Sequence, residues 1–500
     1  MRWILRRTAA DTAARDRAVV LGGSIAGTLA ARVLADSFRE VLVVDRDKVL
    51  GVTDIRRSTP HTVHAHGLHA RGYLILSELF PGLLDEARSV GLPVRDVGKM
   101  RWYFDARPIR PADTGLLSIA GSRPILENLI RSRVNALPNV RYRESTEVLG
   151  LSWSADGSRV TGVRLRNSDA ASGAYQIAAD LVIDATGRGS RTPAWLAELG
   201  YERPPEERLK IGLTYTTCTF RRRPGTFDGP TAINPVASPA HPRGAFFGQT
   251  ATGDCRLSLT GISGDRPPTD PDGFMAYVRS LPVPDIYQAV VDAERTGEPT
   301  AFAFPASLWR HYERLRRLPR GLVVLGDAAA SFNPVYGQGM SVAAMQVMAL
   351  RDQLARHPEP APRQIARQIA RIITDPWRLS TTGDLDFPGV TARRSLWVRV
   401  RNGYFTRLQY AMSKDPQVTA AFMRVAGLVH RPRRLWRPGL VARVLWHARD
   451  WPGSPPPPTV RTPSTEVRTP PTDQPGTALP AGARPETTTA AAAQSGGSTR

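Results

Sequence analysis

A discontinuous, Rossmann-like α/β domain with an inserted, mainly antiparallel β-sheet domain and a helical C-terminal region is the fold the sequence predicts. Three observations predict it. The apolar run AVVL (residues 18–21) leads into a glycine-rich turn, a helical stretch at 25–35 and a second apolar run, VLVVD, at 41–45; this is the start of a βαβ unit. Two further runs of the same kind, LVIDATG at 181–187 and GLVVLGD at 321–327, stand far along the chain, so the domain is interrupted by inserted material. Between about 209 and 310 lie short, β-branched, turn-separated runs (LTYTTCTF, GAFFGQT, CRLSLTGI), which read as a sheet facing a substrate, and from 340 to about 446 the pattern is mostly helical.

These signals divide the chain into an N-terminal extension (1–17), a first dinucleotide-binding part (18–208), a sheet (209–310), a second dinucleotide-binding part (311–390), a helical region (391–450) and a tail (451–500). The tail is built of Pro, Thr, Ala, Ser and Gly and buries too little apolar surface to offset its ordering entropy, so it is expected to be disordered. A formal net charge of +22 invites a nucleic-acid reading. Only four lysines occur, the arginines are scattered, and no zinc-finger or RNA-platform pattern accompanies them, so no nucleic-acid partner is expected. Cys218 and Cys255 lack the spacing of a metal or redox pair and fit a reducing cytoplasm. The apolar stretch near the start, Trp3 to Leu5, is far short of the ~7 to 15 residues a secretion signal needs. The run at 18–35 is broken by glycines and Arg32, which excludes a spanning helix.

In LGGSIAG (21–27), Gly22 suits a tight strand-to-helix turn, a small residue at Ser24 lets a phosphate approach, and Gly27 lets the helix lie against the sheet. The first helical amides, at Ile25 and Ala26, then face a pyrophosphate with the positive end of the helix dipole. Asp45, 18 residues after Gly27 and followed by Arg46, stands where a carboxylate meets adenosine ribose hydroxyls. GDAAASFNPVYGQGM (326–340) decides the cofactor. Asp327 closes a strand and can accept a ribitol hydroxyl. Pro334, Gly337 and Gly339 let the chain pass edge-on to a flat ring before a helix begins near Met340, whose amino end suits negative charge on a reduced flavin. The expected cofactor is FAD.

The Gly22 to Gly27 turn, the segment DATGRGSR running from Asp184 through Thr186 and Gly187, and the 326–339 segment resemble the three flavin motifs of the para-hydroxybenzoate hydroxylase superfamily. Within it, RRSTPHTVHAHGLHARG (56–72), SRPILENLIRSRV (122–134) and ATGRGSRTPAWL (185–196) are similar to actinomycete flavin epoxidases and hydroxylases of polyether ionophore pathways. The resemblance implies that Arg123 contacts FAD near its pyrophosphate or ribose, that the backbone at Val148 meets adenine, and that Arg56 and the following loop approach the flavin. It also implies a monooxygenase that passes one atom of O2, through a flavin C4a-hydroperoxide, to an apolar polyketide, terpenoid or aromatic substrate. Where the superfamily's middle motif often carries Asp-Gly, this chain has Thr186-Gly187, which leaves the electron donor open between NAD(P)H and a reductase. His61 stands where those relatives tend to carry Gln.

The remaining features are read more plainly. His64, His66 and His69 lack a nearby Cys or carboxylate to complete a ligand set, so no metal is assigned, and hydrogen bonding or packing near the flavin is expected. No GxSxG elbow supports a hydrolase, and neither the WxWxIP segment nor the tunnel lysine of a flavin halogenase is present. Phe246, Phe247, Phe302 and Phe304 are as well placed to be core as pocket wall. The basic, Trp-bearing stretch at 430–451 reads first as a packed surface helix and second as a peripheral membrane contact. No catalytic residue stands out. Two other functions stay open: an FAD-dependent reductase or dehydrogenase of a prenyl-like substrate, and a basic binding protein that keeps a flavin fold without turnover. The oligomeric state is left open.

Overall fold

The structure is a computed structural model that describes residues 15–168, 173–227, 232–357, 359–387, 390 and 396–453, the side chains of 396–398 excepted. The first fourteen residues of the extension and all but the opening of the tail lie outside the described residues, and with them the expectation of tail disorder.

Five strands form a parallel sheet: β1 (Arg15–Leu21), β2 (Phe38–Val44), β3 (Val140–Arg143), β4 (Leu181–Asp184) and β5 (Leu322–Val324). Their spatial order is β5-β4-β1-β2-β3, so the order reverses between β1 and β4. A crevice opens beyond the carboxyl ends of the strands at such a reversal, and ligands of open α/β sheets bind there. The strands are continuous apolar runs because both faces are covered; Ala18, Val19, Val20 and Leu21 are all fully buried. Four helices matter for the site: α1 (Ile25–Leu34), α2 (Arg123–Asn135), α3 (Gly339–Arg356) and α4 (Pro362–Asp384).

A seven-stranded sheet lies outside this domain, with the order Thr300–Phe304, Leu213–Phe220, Cys255–Gly261, Arg243–Gln249, Ala232–Val236, Arg101–Phe104, Arg107–Pro108. It is antiparallel except where Ala232–Val236 pairs in parallel with Arg101–Phe104. The sheet therefore recruits a hairpin from well before residue 209, because Ala232–Val236 would otherwise be an open edge. Two of the four phenylalanines differ in their surroundings, and Phe304 is buried in a separate cluster against which Phe302 also packs. Phe247 packs into the sheet's own core beside Phe227, whereas Phe302 lies 5.6 Å from His64, on the side of the flavin-type loops. Cys218 and Cys255 are buried in this sheet.

Helices Leu396–Met412, Pro416–Ala426 and Pro438–His447 follow. Val444 is buried against them, while Leu445 and Trp446 face outward and Trp436 stacks on Tyr404 at 4.4 Å. No helix among the described residues is long and apolar enough to cross a membrane.

Candidate functional site

The turn after β1 is built as its glycines require. Gly22 adopts φ +99 and donates its N–H to Val44 O at 2.7 Å; a Cβ there would lie 2.6 Å from Ala185 O, so the turn presses against the loop after β4. At Gly27 a Cβ would sit 1.8 Å from Gly22 O, which makes this contact the closest constraint on the turn. Gly27→Ala is expected to yield protein without bound flavin, or none in soluble form; an ordinary flavin absorbance in the soluble fraction would contradict this. Ile25 buries its side chain in the core and leaves only backbone to a ligand, while Ala26 is partly open.

Asp45 accepts hydrogen bonds from Gly23 N at 2.7 Å and Asp47 N at 2.9 Å. Burial raises its pKa, opposed by these bonds and by Arg56. A carboxylate offers about four lone-pair positions, so acceptor capacity remains for ribose hydroxyls. Arg46 is exposed beside it. Val148 pairs with Leu165 in an antiparallel ladder, two residues beyond Thr146, whose N–H donates to Asp45 O at 2.9 Å. Val148 thus lies close along the chain to the acidic end of β2.

Arg56 does not reach out as a free cation. It is buried, donates to Ser24 Oγ at 2.6 Å and to Glu127 at 3.2 Å, and lies 3.7 Å from Asp45 and 3.6 Å from Asp47. Glu127 is the hub of this cluster, bonded also to Arg123 at 2.8 Å and Arg131 at 2.9 Å. Burial alone would raise the Glu127 pKa, but the three arginines outweigh it and hold it at about 2. Glu127 and Arg131 escaped the sequence reading, although Arg123, Glu127 and Arg131 stand at i, i+4 and i+8 on one helix face. Arg123 is further held by His61 Nε2 at 3.1 Å and His66 Nε2 at 3.4 Å. Burial and then Arg123 lower the His61 pKa to about 3, so its neutral ring accepts from the guanidinium. His69 Nε2 donates to Tyr336 O at 2.7 Å, and His64 Nδ1 bonds Thr217 Oγ1 at 2.7 Å. The histidines are hydrogen-bonding and packing groups, and among the described residues no cluster suits a metal.

Asp184 and Asp327 look alike in sequence and differ in the structure. Asp184 is fully buried and accepts from Thr186 N at 3.0 Å, Thr186 Oγ1 at 2.6 Å, Thr192 Oγ1 at 2.7 Å and Ser190 Oγ. Its carboxylate is engaged in pinning its own loop, the one that carries Thr186 and Gly187. Thr186 is exposed, and Gly187, at φ +79, has open space where a Cβ would project. Asp327 instead presents surface to solvent. The protein packed around it still raises its pKa by desolvation, opposed by Arg123 and Arg188. An ideal Cβ at Gly339 would lie 3.9 Å from Asp327 Oδ1, so this carboxylate sits at the amino end of α3. Pro334 is exposed, Gly337 adopts φ +63, and Met340 buries its side chain, leaving its backbone at the helix start.

Asn333 and Tyr336 of this loop donate to Asp384 Oδ1, at 2.8 and 3.2 Å, at the C-terminal end of α4. Burial raises the Asp384 pKa to about 7, opposed by both bonds; the negative end of the helix dipole acts in the same direction as burial. Between about pH 4 and 7 the folded protein keeps a proton that an unfolded aspartate has released, so this group removes stability as pH rises through that window. Asp384→Asn is expected to flatten this dependence, raising Tm relative to the unsubstituted protein at about pH 8 more than at about pH 5. Parallel melting curves at the two pH values would contradict it.

These residues fit FAD: a glycine turn and helix start for the pyrophosphate, Asp45 near the ribose position, and the exposed Asp327 with the partly open 334–339 loop for the ribityl chain and ring. Comparisons with known proteins agree with that fit. The family described as FAD dependent oxidoreductase matches residues 18–245. Protein Rv3254 of Mycobacterium tuberculosis (strain ATCC 25618 / H37Rv) is 34% identical over 453 residues, covering 87% of this chain and 94% of its own length. Kynurenine 3-monooxygenase of Salinispora arenicola (strain CNS-205) is 26% identical over 378 residues, 71% of this chain and 76% of that protein. Among solved structures, a flavoprotein/dehydrogenase from Cytophaga hutchinsonii has a TM-score of 0.62 at 15% identity, covering 86% of this chain and 96% of that one. PqsL, a probable FAD-dependent monooxygenase from Pseudomonas aeruginosa, has 0.54 at 18%, covering 81% and 98%, and the flavin-dependent halogenase CmlS has 0.58 at 14%, covering 84% and 77%. With a relative one-third identical along most of its length and the family match laid over the parallel sheet and its glycine turn, the chain belongs to the FAD-dependent oxidoreductases.

Proposed function

We propose that this enzyme is a monooxygenase of the para-hydroxybenzoate hydroxylase type, an epoxidase or hydroxylase that transfers one atom of O2 to a small, mainly apolar organic substrate. The reading rests above all on the third loop: the exposed Asp327 and the partly open chain at 334–339 lie at the start of α3, where Val335 shares a hydrophobic cluster with Phe302. The names of the kynurenine and PqsL relatives support it. The resemblance to polyether-pathway enzymes supports a polyketide or terpenoid substrate in specialised metabolism.

In this reading the bound FAD supplies the activation of O2 and the oxygen transfer. The protein's own residues do the rest. Gly22, Ser24, Ile25, Ala26 and Gly27 hold the pyrophosphate, Asp45, Arg46 and Val148 the adenosine, and Arg123, steadied by His61, His66 and Glu127, lies beside it. Asp327 receives a ribityl hydroxyl, while Thr186, Gly187, Pro334, Gly337, Gly339 and Met340 offer backbone to the ring and chain. Phe302 and the neutral His64 keep water from the reacting face. Arg56 acts through Ser24, Asp45 and Glu127 as a positioning residue. NAD(P)H or a reductase supplies electrons. We further propose the domain division 18–208, 209–310, 311–390 and 391–450.

The printed name of the Cytophaga flavoprotein/dehydrogenase supports one second reading, dehydrogenation in place of oxygenation, for which a prenyl-like chain is our own choice of substrate. Turnover under isotopically heavy O2 separates the two: one heavy oxygen atom in the product is the expected result. A substrate oxidised without label would replace oxygenation with dehydrogenation.

A further inference from the structure

A second recess lies between α4 and the strand Ser307–Arg310. Its volume is about 510 Å³, a size that fits a nucleotide better than a single small ion. Arg367, Arg371 and Arg378 enter it from α4, at spacings of four and seven residues that put them on one helix face. Arg314 enters from the other side, on a separate element. All four arginines are exposed, and among the described residues Arg367, Arg371 and Arg378 form no ion pair.

The recess also holds two carboxylates, and both are already engaged. Glu207 accepts from Trp377 Nε1 at 2.8 Å and lies 3.4 Å from His311 Nε2. Glu313 is bonded to His311 Nδ1 at 2.7 Å and lies 3.9 Å from Arg314 Nε, so among the described residues Arg314 is the one arginine of the four with a carboxylate beside it. A solvated amphipathic helix face would explain outward arginines. It does not explain like charges from two elements converging on one concavity, an arrangement that is unfavourable until an anion fills it. The floor is also tied to the flavin-type loops: Trp309 pairs with Ala330, and Arg310 donates to Ala328 O at 3.0 Å and Arg188 O at 2.8 Å.

We propose that this recess binds a phosphate-bearing ligand of nucleotide size through Arg314, Arg367, Arg371 and Arg378. Guanidinium groups match phosphate oxygens in pairs, and the volume leaves room for more than the phosphates. A nicotinamide dinucleotide and an unrelated phosphorylated metabolite share this chemistry.

The test is calorimetric titration of the FAD-loaded enzyme at low salt with NADPH, NADH, ADP and inorganic pyrophosphate. Saturable binding is expected, roughly tenfold or more weaker in R367E/R371E at unchanged flavin absorbance. Binding of NADPH well above that of ADP and pyrophosphate identifies a dinucleotide, whereas similar affinities identify the phosphates alone as the recognised groups; both sustain the proposal. R367Q/R371Q repeats the test should charge reversal disturb folding. The proposal is overturned if none of the four probes binds, if the variants bind as tightly as the unsubstituted enzyme, or if only an acidic protein partner is retained there. Oxygen labelling in the product is read separately, so failure here leaves the proposed monooxygenase reaction standing.

Discussion

Replacing Glu127 by Ala is expected to destabilise the protein by about 3 to 5 kcal/mol, because it strips the shared carboxylate from three arginines that sit in or near the core. Arg56 is 5% exposed, Arg131 1% and Arg123 14%, so water cannot readily take the place of the missing charge. Arg56 keeps Asp45 and Asp47 at longer range, while Arg131 keeps only carbonyl oxygens of Gly23 and Val52 among its described hydrogen-bond partners. The same carboxylate gives a pH signature. Its pKa is depressed from 4.5 to about 2 in the folded protein. Its contribution, about 3 kcal/mol in order of magnitude, is complete above pH 4.5 and disappears as pH falls toward 2. Denaturant unfolding of the Ala and Gln variants at neutral and acid pH checks both statements. Variants as stable as the unsubstituted chain at neutral pH would show that the cluster is dispensable.

Asp327→Ala is expected to weaken FAD binding by roughly ten- to a hundredfold, the usual worth of a hydrogen bond to a charged group. Asp327 is an acidic side chain that the structure leaves exposed at the amino end of α3, with Ser331 as its hydrogen-bonding neighbour. Asp184→Ala makes the informative contrast. It should act through the thermal stability of the 186–192 loop, since all its partners are protein groups. Flavin content per chain, measured by absorbance beside Tm, separates the two effects. An Asp327→Ala protein that purifies fully loaded would remove Asp327 from the proposed contacts.

The contrast between these two aspartates marks how far the sequence could be read. The parallel strands, the Gly22 to Gly27 turn, Asp45 and the 326–340 loop were legible because each depends on local requirements: apolar runs buried on both faces, a positive φ, and a helix that must pass within touching distance of a carbonyl. Asp184 follows the same kind of apolar strand as Asp327. What distinguishes it is hydroxyls two, six and eight residues on, a signal present in DATGRGSRT but meaningful only once the loop is seen to close on itself. The histidines and Arg56 were seen as neighbours of the flavin. Their partners could not be, because Arg56 meets Glu127 from 71 residues away and His69 meets Tyr336 from 267. The hairpin at 101–108 was missed as part of the large sheet for the same reason: strand pairing across more than a hundred residues leaves no periodic trace.

The measurement closest to the central claim is the visible spectrum of the purified protein, taken as isolated and again after incubation with FAD and removal of the excess. The account predicts an oxidised-flavin spectrum that stays with the protein, bleaches on anaerobic reduction and returns when O2 is admitted. A protein that retains no flavin after reconstitution would contradict the assignment of the glycine turn, Asp45 and Asp327 to one FAD site.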